Sequence, residues 1–76
     1  MLINSLLTEI KNEYESASSK YPAFHSTHEG YAVLKEEVDE LWDGVKANKG
    51  IMGNDALRKE AIQIAAMALR FIKDLC

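Results

Sequence analysis

Two groups of helix breakers cut this chain: Tyr21-Pro22, and Lys49-Gly50 followed by Gly53. Between them the apolar residues recur at helical spacing, which leaves three amphipathic segments and few folds that can use them. In the first, Ile3, Leu6, Leu7, Ile10, Tyr14 and Ala17 make one stripe, opposed by Glu9, Lys11, Asn12 and Glu13. Proline lacks a backbone donor and restricts the residue before it, so this helix is expected over about 3–19 with a loop to Ser26.

Ser26 and Glu29 fit a capping box, in which hydroxyl and carboxylate satisfy backbone donors left free at a helix start. A second helix is expected over about 27–48, with Tyr31, Leu34, Val38, Leu41, Trp42 and Val45 as its apolar face and Gly44 as a modest weakness. Ile51-Met52-Gly53 makes a short connection. Asn54 or Asp55 can then cap a third helix over about 54–75, carrying Leu57, Ala61, Ile64, Ala65, Ala68, Phe71, Ile72 and Leu75. Helices joined so briefly are antiparallel neighbours. The expected fold is all-α: three helices in one domain over residues 1–76, without internal repeats.

A 76-residue chain with a single cysteine has no intrachain disulfide to support it, and chains of this size bury only about 60% of their unfolded surface. The third helix also carries a second apolar stripe, Ile62, Ala66 and Leu69, beside small residues that admit a close helix. The expectation is that the helical hairpin completes a four-helix bundle in a homodimer or homotetramer; the competing reading is that helix one covers the stripe. Nine basic residues against twelve acidic give a net charge of −3 with no basic tract, which argues against nucleic-acid binding. No apolar run approaches the roughly 20 residues of a membrane span, and no secretory leader pattern is present. A cytoplasmic protein is expected.

The segment Lys35-Glu36-Glu37-Val38-Asp39-Glu40-Leu41-Trp42 concentrates the acids. At about 100° per residue, Glu37 and Glu40 lie about 80° and 140° to one side of the apolar centre of helix two. Glu60 and Gln63 lie at the same angles on helix three. Same-handed flanks of antiparallel helices come together, so these four side chains are expected to face one groove. Clustered carboxylates repel unless protons, cations or a metal compensate, and hard divalent ions suit oxygen donors. A charged helix face is otherwise simply solvated.

Glu37-x-x-Glu40, about twenty residues, then Glu60-x-x-Gln63 resembles the E-x-x-E, spacer, E-x-x-D signature of the MazG-like all-α nucleotide pyrophosphohydrolases. The runs "KEEVDELW" and "RKEAIQIAAMALRF" look like the two metal-bearing helices of that family, and the likeness spans roughly residues 27–75. It implies magnesium, or manganese, held by Glu37, Glu40, Glu60 and the position of Gln63, where the family has aspartate. It also implies cleavage of a nucleoside triphosphate between its α and β phosphates, releasing a monophosphate and pyrophosphate. Glu40 is then a candidate base for the attacking water.

Lys35, Arg58 and Lys59 are candidates for phosphate contact, whereas Arg70 is expected to pair with Glu29 or Glu36. Trp42 is a candidate for stacking on a base, although its spacing with Val38 and Val45 suits a core residue. His25 and His28 lack further ligands for zinc, and Cys76 lacks a neighbour that would make it a nucleophile. Two function classes follow: a metal-dependent nucleotide pyrophosphohydrolase, and a non-catalytic helical oligomer used for ligand sensing or protein association.

Overall fold

The periodic stripes fold as helices. The computed structural model describes residues 2–47 and 54–76, which form α1 (Ile3–Lys20), α2 (Thr27–Ala47) and α3 (Asp55–Leu75), with no strand among the described residues. The Lys49-Gly50 stop and the Ile51-Met52-Gly53 connection lie outside them. The capping box forms at the start of α2. Ser26 Oγ accepts from Glu29 N at 3.1 Å, while Glu29 Oε1 accepts from His25 N at 2.8 Å, one residue earlier than the simplest capping box would have it. No described helix is long and apolar enough to cross a membrane.

α3 lies in the middle, with α1 packed on one side and α2 on the other, and α1 and α2 make no close backbone approach among the described residues. α2 runs antiparallel to α3: Gly30 lies against Phe71 and Leu75, and Gly44 lies against Leu57. α1 runs parallel to α3, since Glu9 pairs with Arg58 while Ala17 joins a buried cluster with Ala66 and Met67. The centre of the second stripe of α3 is therefore covered within the chain: Ala66 is 0% exposed, beneath α1, while Ile62 is half-buried and Leu69 stays 44% exposed. This corrects the expectation at Ala66, which α1 and not a second chain covers, because α1 has one apolar stripe of its own and α3 is the helix it meets.

Ala17, Phe24, Ala66 and Met67 are the buried apolar residues, with Tyr14, Val33, Leu34, Phe71 and Leu75 packed partly around them. Phe24 belongs to the α1–α2 connection, which two charged residues of α3 fasten down. Arg70 Nη2 donates to Pro22 O at 2.7 Å, its guanidinium lies 4.7 Å from the Phe24 ring centroid, and Asp74 Oδ2 accepts from Phe24 N at 3.0 Å. Arg70 is buried and turned to backbone carbonyls, not to Glu29 or Glu36 as the helical register alone suggests.

Candidate metal centre

The α2–α3 register brings three of the four expected side chains together. Glu37, Glu40 and Glu60 each offer one carboxylate oxygen, all within 4.8 Å of one another. Glu37 and Glu60 are half-buried and Glu40 is exposed at the edge. Oε2 of Glu37 and Oε2 of Glu60 are shut off from solvent and have no hydrogen-bond partner. A buried acceptor in that state forfeits hydration that folding does not return.

The electrostatics follow from the crowding. Burial, and then the charges of Glu40 and Glu60, push the Glu37 carboxyl above the ordinary 4.5. Glu60 is pushed up by burial and by the adjoining Glu40 carboxyl, against which the nearby Lys59 charge pulls it down. A proton is one way to relieve such a cluster, and a divalent cation is another. The donor set fits the second. Oxygens bound to one ion at about 2.1 Å lie no more than about 4 Å apart, a small contraction of the arrangement seen.

Because α1 and α2 sit on opposite sides of α3, a cleft of about 520 Å³ opens between them. Glu37 and Gln63 stand in its wall; Ala17, Phe24, Val33 and Met67 supply apolar lining, and Lys20 and Glu13 come from α1. A smaller hollow of about 250 Å³ adjoins it, sharing Glu13 and Gln63 and lined also by Glu9, Arg58 and Lys59. Gln63 thus faces the space beside the carboxylates, at the position where the resemblance puts a charged ligand.

Of the remaining candidates, Lys35 and Trp42 line neither hollow. Lys35 is bound to Asp39 at 2.9 Å on the outer side of α2, about 160° around the helix from Glu37. Trp42 is neither core nor cleft: it is 57% exposed on the flank of α2 away from the acids, with Lys46 Nζ 5.6 Å from its ring centroid. Both corrections have one cause. The broad apolar face of α2 meets α3 along Gly30, Leu34 and Gly44, so the residues on its far flank turn outward. Arg58 holds Glu9 through both guanidinium nitrogens, Nη1 to Oε1 at 2.7 Å and Nη2 to Oε2, so it joins α1 to α3. Lys59 keeps its place beside Glu60.

Sequence reasoning missed the contribution of α1. Glu13 adds to the field that raises the Glu37 pKa and lines both hollows. The available signal was the pair Glu9 and Glu13, one turn apart beside the apolar stripe. Compared with models of protein families, with curated proteins and with solved structures, the chain finds no match.

Proposed function

We propose that this chain is a MazG-like, metal-dependent nucleoside triphosphate pyrophosphohydrolase, cleaving between the α and β phosphates. One observation carries the reading: carboxylates from both helices of the hairpin converge, two of them with orphaned buried oxygens, beside a cleft of a size that small-molecule sites have. Glu37, Glu40 and Glu60 would hold magnesium or manganese. Bound there, the ion supplies charge neutralisation for a triphosphate and a lowered pKa for water. Glu40, the most open of the three, accepts the proton of the attacking water. Phe24, Val33 and Met67 offer the nucleoside an apolar bed, while Lys20 and Lys59 set positive charge near the phosphates. Lys35 and Trp42 have no part in this reading, and Arg58 is kept by Glu9. The chain is further proposed to work as a homodimer or homotetramer whose hairpins complete a four-helix bundle.

Gln63 supports the non-catalytic alternative, in which the scaffold binds a ligand or a protein without turnover, because an amide oxygen brings no charge to the ion. The two readings part in one assay. Pyrophosphate release is measured with magnesium and with manganese across standard and modified nucleoside triphosphates, for the wild type, Gln63→Asp and Glu60→Gln. Turnover that Glu60→Gln abolishes and Gln63→Asp raises severalfold supports the enzyme. Its absence in all three, with the fold intact, selects the alternative.

A further inference from the structure

The hairpin has a second flank, opposite the acids. On α2 it exposes Tyr31, Val38, Trp42 and Val45, the last two 57% and 45% exposed; on α3 it exposes Ile72 and the small residue Ala61, with Ala65 half-buried beside them. We infer that a second copy of this chain covers this face, α2 of each copy lying on α3 of the other about a twofold axis parallel to the helices. The inference rests on the proposed self-assembly and commits it to one face and one pairing.

Area comes first. α2 and α3 are each 21 residues long, which at 1.5 Å per residue is about 31 Å. Two adjacent helices are about 20 Å across, so the face projects to about 600 Å², of the order of the 800 Å² each partner gives a standard interface. Shape then selects the pairing. The contacts of Gly30 with Phe71 and Leu75, and of Gly44 with Leu57, put Trp42 about level with Ala61 and Val38 about level with Ala65. An axis along the helices keeps those levels and exchanges the helices, so each large residue of α2 meets a small one of α3 across the interface. An axis across the helices sets Val38 on Val38 and Ala65 on Ala65, with a clash beside a void. In the favoured pairing every neighbouring helix is antiparallel, the arrangement of an up-and-down bundle.

Charge argues against charged occupants. The cations of α2 along this face are already matched, Lys35 with Asp39 at 2.9 Å and Lys46 with Asp43 at 3.6 Å. Such a neutral rim attracts neither an anionic membrane surface nor a strongly charged protein, and it does not repel its own copy.

Sedimentation of the full chain from low to high micromolar concentration tests the face. The wild type is expected at no less than twice 8.5 kDa. Val38→Glu and Ile72→Glu, both at exposed positions, are expected to shift it to the single-chain mass with the helical circular dichroism unchanged; Glu15→Lys, on the outer side of α1, leaves assembly intact. Cross-linking in a Cys76→Ser background tests the pairing. Mixed Val38→Cys and Ala65→Cys chains are expected to form a disulfide on oxidation, and neither variant alone. Assembly indifferent to both charged variants overturns the face, and self-linking of Val38→Cys overturns the pairing, while self-assembly survives either. A wild type that is monomeric throughout overturns both inference and assembly.

Discussion

Glu37 and Glu60 each bury a carboxylate oxygen that nothing in the chain satisfies, and the cost depends on pH. Their carboxyls titrate above the ordinary 4.5, so between that value and the raised ones the folded chain binds more protons than the unfolded chain. The contribution of the protonated cluster to stability is fully present below 4.5 and is lost as pH rises through the raised values. In chelator, Glu37→Gln and Glu60→Gln are therefore expected to melt above the wild type at neutral pH and to converge with it near pH 4.5; thermal melts at the two pH values check this, and equal gaps at both would refute it. Arg70 carries a second expectation. Removing its guanidinium frees the α1–α2 connection and opens the carbonyls of Tyr21 and Pro22, so Arg70→Ala should cost about 2 kcal/mol or more in denaturant unfolding. The acids were legible because angles on a helix follow from counting residues. Arg70 was not, since its partners are backbone carbonyls of a loop, and a loop has no period from which to place them.

At the scale of the element, α2 and α3 approach closely because two glycines allow it, yet the two sites predict opposite signs. A Cβ at Gly30 would lie 2.7 Å from Phe71 Cδ2 and 2.8 Å from Leu75 Cδ1, and the aromatic ring is packed against the core. Gly30→Ala should lose about 1 kcal/mol net, since overpacking of about 1–3 kcal/mol exceeds the helix propensity gained. At Gly44 the Cβ would meet only Leu57 Cδ2, the end of a flexible side chain, at 2.9 Å. There Gly44→Ala should be neutral or gain up to about 1 kcal/mol. Equilibrium unfolding of both variants decides, and a shared sign would contradict the packing. The α1–α3 contact gives a third test: Ala66→Glu buries an unpaired charge at a position 0% exposed and should unfold the chain, not merely split an assembly. The three helices and their breakers were readable in the period. Which helix covers which stripe was not, because periodicity reports that a face is buried without naming what buries it; hence α1 took the Ala66 position assigned to a partner, and the far flank of α2 turned outward.

For the whole molecule, one arrangement organises both faces: α3 between two helices whose described backbones do not approach each other, an acidic cleft on one side and an apolar flank on the other. No large side chain is fully enclosed among the described residues, so the chain alone has a thin core. Ligands that bind the folded state then have an outsized effect on its stability. The central claim is that Glu37, Glu40 and Glu60 form a divalent-cation site, and calorimetric titration of magnesium and manganese into the wild type, Glu37→Gln and Glu60→Gln tests it most directly. The account predicts saturable binding to the wild type and a loss of tenfold or more in affinity in each variant, with helical content unchanged. Equal affinity in all three folded proteins, or none in the wild type, would contradict it.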